Sequence, residues 1–111
     1  MAGKFEISTR KDGEFQFNLK AANGQVILTS EGYSSKPACL NGIESVRKHA
    51  AADANFERKT AKDGSPYFSL QAGNGQSIGK SEMYSGVAAR DNGIASVMKH
   101  AADASVVDAT A

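Results

Sequence analysis

The chain has little cysteine, little excess charge and no long apolar run. Cys39 is its only cysteine. A lone thiol cannot close an internal disulfide, which excludes a small disulfide-stapled scaffold. The 13 basic and 12 acidic residues nearly cancel, leaving a formal net charge of +1. Without a long run of like charge there is no broad electrostatic footprint for nucleic acid or an anionic membrane surface. No stretch approaches the roughly 20 apolar residues that cross a bilayer, and the opening MAGKFEIST has no signal-peptide core. The expectation is a cytoplasmic protein, in a reducing compartment, with no membrane partner.

The 111 residues, 41% of them hydrophobic, suit one domain with a modest core. Two independent halves of about 50 residues would each be marginal, so all of the chain is expected to share one interior.

The sequence is written twice. The stretch from Phe5 to His49 aligns without a gap to the stretch from Phe56 to His100, and about half the positions are identical. Shared residues include Asp12/Asp63, Gly13/Gly64, Phe17/Phe68, Leu19/Leu70, Asn23/Asn74, Ile27/Ile78, Glu31/Glu82, Tyr33/Tyr84, Gly42/Gly93, Ile43/Ile94 and His49/His100. What both copies keep reports what the unit requires.

Within one copy, Phe5, Ile7 and Thr9 alternate, as do Phe15, Phe17 and Leu19, the pattern of half-buried strands. Asp12-Gly13 and Asn23-Gly24 mark tight hairpin turns, because they tolerate positive φ. A third strand is expected from about Gln25 to Glu31. Ser34 or Ser35 can then cap a helix, with Pro37 in its first turn. Cys39, Ile43, Val46 and Ala50 fall on a single helical face. An interior glycine costs a helix about 1 kcal/mol, so Gly42 and Gly93 need a reason. Together with Ala38 and Ala89 they are read as shallow grooves for close approach, with a break at Asn41-Gly42 as the competing reading.

One segment imitates a phosphate-binding loop. In AGNGQSIGKS, Ala72 to Ser81, a Gly-Lys-Ser follows earlier glycines. Such a loop needs a glycine, four residues, then Gly-Lys-Ser, and Asn74 stands where the first glycine belongs. The equivalent Ala21–Ser30 has neither the late glycine nor the lysine. The segment is read as a strand end, a two-residue turn and a new strand.

Candidate site residues are few. Tyr33 and Tyr84 lie at the strand-to-helix junction of each copy, suited to burying a ring while flanking a groove. Glu31 and Glu82 just precede them and are placed to favour the helix N-terminal amides. His49 and His100 are a conceivable metal pair, but without a retained third ligand the favoured reading is a histidine at a helix end. No metal site, cofactor or catalytic residue is expected. Cys39 has Arg90 as its counterpart, so the unit does not require a thiol, and a small buried apolar role is favoured. The strand face of Glu14, Gln16, Asn18 and Lys20, matched by Ser65, Tyr67, Ser69 and Gln71, reads as solvated sheet or a weakly charged binding face.

With KDG, NGQ-I---SE-Y and NGI-SV-KH in fixed order in both copies, the chain resembles the YegP-like family of small bacterial proteins. The likeness runs from Lys4 to about Ala104. It implies an α+β fold made by tandem duplication of a domain of unknown function, and it brings no substrate or catalytic residue. The second copy departs from the first at Arg58 for Ile7 and Pro66 for Phe15. Pro66 lacks an amide donor, so its strand should start there or lie at an edge.

The expected architecture is one α+β domain over residues 1–111. Two β-β-β-α repeats, 4–54 and 55–104, are related by a pseudo-twofold axis. Six mostly antiparallel strands carry two helices on one side, and residues 105–111 form a frayed tail. The expected function is a non-enzymatic binding module, a monomeric covalent pseudo-dimer, that takes a protein or peptide partner through a sheet edge or the groove between repeats. Weak nucleic-acid binding through Lys4, Arg10, Lys11, Lys20, Lys59 and Lys62 is the alternative, and small-ligand binding or enzyme activity stands third.

Overall fold

A computed structural model describes residues 3–73 and 75–110. Strands β1 (Lys4–Thr9) and β2 (Phe15–Lys20) form an antiparallel pair. Their alternation buries Phe5, Ile7, Phe17 and Leu19 on one face. The loop between them is built on Gly13, at φ 86°, with its N–H on the Arg10 carbonyl at 3.0 Å. Asp12 locks it by accepting the Glu14 N–H at 3.0 Å. Strand β3 (Val26–Ser30) follows a loop of the same form, closed by Gly24 at φ 85°. In both loops only the glycine has positive φ, so they are three-residue loops with a left-handed glycine, not two-residue turns.

Helix α1 (Lys36–His49) starts where Ser35 accepts the Ala38 N–H at 3.2 Å, with Pro37 in the first turn. It runs unbroken through Gly42, which removes the expectation of a break there. A short 3-10 turn, Asp53–Asn55, leads into β4 (Phe56–Thr60), β5 (Pro66–Gln71), β6 (Ser77–Lys80) and helix α2 (Val87–Ala101). β5 begins at Pro66, as its missing donor requires. The phosphate-loop imitation is a hairpin: Ala72 donates to the Gln76 carbonyl at 2.8 Å, and β6 follows directly. Asn74, the turn residue expected there, lies outside the described residues.

Two expectations are corrected. The sheet is mixed and has seven strands, not six, in the order β4-β5-β6-β3-β2-β1-β7. The seventh, β7 (Ser105–Asp108), lies within the segment expected to fray. It runs parallel to β1, with Phe5 opposite Val106 and Ile7 opposite Asp108. Ala109 N–H donates to the Ile7 carbonyl at 2.8 Å, and Asp108 pairs with Lys36 of α1 at 2.8 Å. Four residues are too short to show a period, which is why the sequence does not announce this strand.

The halves meet at the centre of the sheet, where β3 pairs antiparallel with β6, Thr29 opposite Lys80 and Ser30 opposite Gly79. A Cβ on Gly79 would lie 2.7 Å from the Thr29 carbonyl oxygen, so glycine lets the strands close here. Helix α1 packs on β2 of its own half and on β5 and β6 of the other; α2 packs on β5 and on β3. One hydrophobic cluster therefore draws on both halves, from Phe5, Phe17, Ile43 and Val46 to Phe56, Phe68, Ile94 and Val97.

Candidate functional site: two grooves between the halves

Because each helix leans over the other half's sheet, a groove opens between each helix and the opposite β-hairpin. The first, about 610 Å³, has α1 as one wall, through Ala38, Asn41, Gly42 and Ser45. The β5–β6 hairpin forms the other, through Ala72, Gln76, Ser77 and Ile78, with Glu31 and Tyr33 at the end. The second, about 340 Å³, is lined by Tyr84, Ala89, Asn92, Gly93 and Ser96 on one side. Ala21, Asn23, Gln25 and Ile27 of the β2–β3 hairpin face them. Asn41/Asn92, Ser45/Ser96, Gln76/Gln25, Ala38/Ala89 and Ala72/Ala21 are identical pairs, so the copies build the same lining twice.

The tyrosines sit as the sequence suggests, half-buried and bordering a groove, but each in its own. Tyr33 stacks on Phe17 with ring centroids 6.2 Å apart, and Tyr84 stacks on Phe68 at the same separation. Their hydroxyls lie against Gly42 and Gly93. A Cβ on Gly42 would overlap the Tyr33 hydroxyl and come within 2.6 Å of its ring carbon Cζ. The glycine thus makes room for a tyrosine, and the close approach is between helix and side chain. Burial chiefly, with the Cys39 and Glu31 groups as lesser causes, raises the Tyr33 phenol above its ordinary value; burial and then Glu82 do the same for Tyr84. Both hydroxyls are neutral donors at physiological pH.

The glutamates divide. Glu31 is exposed and lines the first groove, whereas Glu82 does not line the second. Neither caps a helix: Ser35 caps α1, and α2 begins at Gly86 without a side-chain cap. Tyr33, Tyr84, Glu31 and Glu82 therefore do not converge on one pocket.

His49 Nδ1 lies 2.8 Å from the Ser45 carbonyl, which only accepts, so Nδ1 carries the proton. Its Nε2 is then free to accept the Gly73 N–H at 3.2 Å, tying the end of α1 to the hairpin across the first groove. His100 bonds the Ser96 carbonyl at 2.8 Å in the same way. Among the described residues no three metal-ligating side chains come together. The Cys39 thiol is buried, and burial, then Asp108, raises its pKa.

The scattered cations do not form a patch. Lys4, Arg10, Lys11 and Lys20 belong to the β1–β2 end of the sheet and Lys59 and Lys62 to the β4–β5 end, with four strands between β1 and β4. Arg10 pairs with Asp12 at 3.5 Å, Lys20 with Glu6 at 2.9 Å and Lys59 with Glu57 at 3.1 Å. On the polar strand face, Ser69 is buried, not solvated.

The amides and hydroxyls of the groove walls were not singled out from sequence. Their signal was present in the motifs NGI-SV and NGQ: amides exposed and hydroxyls half-buried on the finished fold, yet retained in both copies.

Two tandem copies of one small α+β unit, sharing a sheet and framing paired grooves, define the class. Residues 11–57 and 61–108 each match the Domain of unknown function (DUF1508), and the chain belongs to that family. A UPF0339 protein encoded in the ptx operon 5' region of Stutzerimonas stutzeri is 55% identical over 108 residues, spanning 97% of each chain. A UPF0339 protein of Bordetella pertussis is 54% identical over 110 residues, 99% of this chain and 98% of its own. The solution NMR structure of yegP from E. coli, a protein of unknown function, superposes with a TM-score of 0.94 at 47% identity, covering 99% of this chain and 95% of that one. A UPF0339 protein of Shewanella oneidensis, also solved by NMR, gives 0.92 at 48% identity over 99% and 93%. The YegP-like resemblance holds, and these relatives indicate no specific function.

Proposed function

We propose that this protein is a non-enzymatic binding module that uses the two grooves to hold a small ligand rich in paired donors and acceptors, amide groups or neighbouring hydroxyls. The observation that carries this is Asn41 and its twin Asn92. Both are exposed, and asparagine is a poor residue for a helix interior, costing up to about 0.7 kcal/mol relative to alanine. Packing gives no reason to keep them, yet both copies do, on the groove wall. Amides and hydroxyls that both donate and accept suit a neutral polar ligand. Glu31 is the only charge among the described residues lining either groove. An enzyme is disfavoured because a thiol with a raised pKa and neutral phenols are poor nucleophiles.

Each groove needs one wall from each half, so the working unit is the whole chain. We read it as a monomer in which β3–β6 pairing and the crossed helices play the part of a twofold dimer interface, with the thiol of Cys39 suited to a reducing, cytoplasmic setting.

An NMR titration of the labelled chain with a capped dialanine amide and, separately, with maltose tests this and separates the two ligand chemistries. Signals of Asn41, Ser45 and Gln76, and of Asn92, Ser96 and Gln25, should move, and the Asn41→Leu/Asn92→Leu variant should lose the response. If neither probe moves them while a short single-stranded oligonucleotide binds at low salt, nucleic-acid binding replaces this reading.

A further inference from the structure

The two halves end their outer strands differently. β1 carries β7 along its outer side, whereas β4, which holds the same place in the second half, is the last strand on its side of the sheet. The chain path explains this. After α2 the chain is free to lay β7 against β1; after α1 it passes through Asp53–Asn55 into β4 itself. Among the described residues, the second half has no strand in the place that β7 takes beside the first.

The bonds that hold β7 show what the open edge offers. The Ile7 carbonyl accepts the Ala109 N–H at 2.8 Å, and a residue in a strand turns its N–H and C=O to the same side, so Ile7 presents both groups to β7. Arg58 is its counterpart, and both of its backbone groups face outward with no strand to meet them. The Phe56 N–H is already taken by the Asp53 carbonyl, so the open stretch runs from the Phe56 C=O through Arg58 to Thr60.

Side chains on this edge are occupied: Arg58 pairs with Asp53 at 3.0 Å and Asp91 at 3.6 Å, and Lys59 with Glu57 at 3.1 Å. A second copy adding antiparallel through its own β4, centred on this open stretch, would set Arg58 against Arg58, which like charge disfavours. On the first edge Lys36 grips Asp108 of β7. Val87 stands in its place on α2 and is 56% exposed.

We infer that the outer edge of β4 docks an extended segment of another protein, added parallel as β7 is to β1, with an apolar residue over Val87 where β7 sets Asp108 against Lys36. Main-chain bonds supply the attachment and Val87 the selectivity. This does not depend on the grooves.

The test uses the labelled full chain and two peptides: residues 104–110 of this sequence, and the same peptide with Asp108→Leu. The leucine peptide should move the signals of Phe56–Thr60 and Val87, leave β1 and β7 unchanged, and bind about tenfold more tightly than the aspartate form. Arg58→Pro, which removes the outward N–H, should abolish binding. Should that variant not fold, Val87→Asp should weaken the leucine peptide about tenfold without touching the backbone. The Asn41→Leu/Asn92→Leu chain should bind as the parent does. Shifts confined to β1 and β7, shifts confined to the grooves, or none at all would overturn the inference. Self-association through β4 in the absence of peptide would overturn it in favour of a second copy.

Discussion

Gly42 shows how one missing carbon can decide a local structure. Replacing it with alanine gains about 1 kcal/mol of helix propensity. Against that, the new Cβ overlaps a hydroxyl whose ring is stacked on Phe17 and cannot swing aside, and overpacking costs about 1–3 kcal/mol. The larger effect wins, so Gly42→Ala should lower stability by about 1 kcal/mol in urea unfolding. Adding Tyr33→Phe should recover part of the loss, only part because the ring carbon is crowded too. Full tolerance of Gly42→Ala would show that the tyrosine moves freely. Ser30 is a second such residue. Buried beside β2, it accepts the Phe17 N–H at 2.9 Å and donates to the Glu31 carbonyl at 2.8 Å; Ser81 repeats this with Phe68 and Glu82. Ser30→Ala strands a buried amide and should cost about 1–3 kcal/mol, measured in the same way.

At the scale of the element, β7 is held by ladder bonds and by the Asp108–Lys36 ion pair rather than by burial, since all four of its residues are exposed. The Lys36 ammonium, with the Thr110 hydroxyl and N–H as further donors, holds the Asp108 carboxyl well below its ordinary value. A depressed folded-state pKa means the attachment is complete above the unfolded value, about 3.9, and is lost as pH falls through the lower folded value. On acidification hydrogen-exchange protection at Ala109, measured relative to the free-peptide rate at each pH, should therefore fall before protection in β3 and β6 does. Asp108→Asn should loosen β7 already at neutral pH. Equal protection of Ala109 in parent and variant would leave the ladder bonds as the sole attachment.

For the whole molecule, stability is expected to be indivisible. α1 spreads over β5 and β6, Arg47 of α1 donates to the Ala101 and Ala102 carbonyls at the end of α2, both at 3.3 Å, and β3, paired with β2 on one side, has its second partner, β6, in the other half. Residues 1–54 expressed alone would expose the β3 edge and part of the core face, and so should be unfolded or dimeric in sedimentation and thermal melts. A heat-resistant monomer of that half would refute the shared interior.

Much of this was legible in the residues themselves. Strands, helices and their order follow from period-two and period-3.6 patterns in a chain that repeats itself, and Asp-Gly and Asn-Gly fixed where it turns. Local chemistry suffices there, because backbone propensity and a single buried face act within a few residues. The seven-strand order, the attachment of β7, the service of Gly42 to Tyr33 and the meeting of Asn41 with Gln76 across a groove were decided only by tertiary structure. Each joins residues far apart in sequence, and such pairs are set by how two surfaces close on one another, which no local pattern encodes.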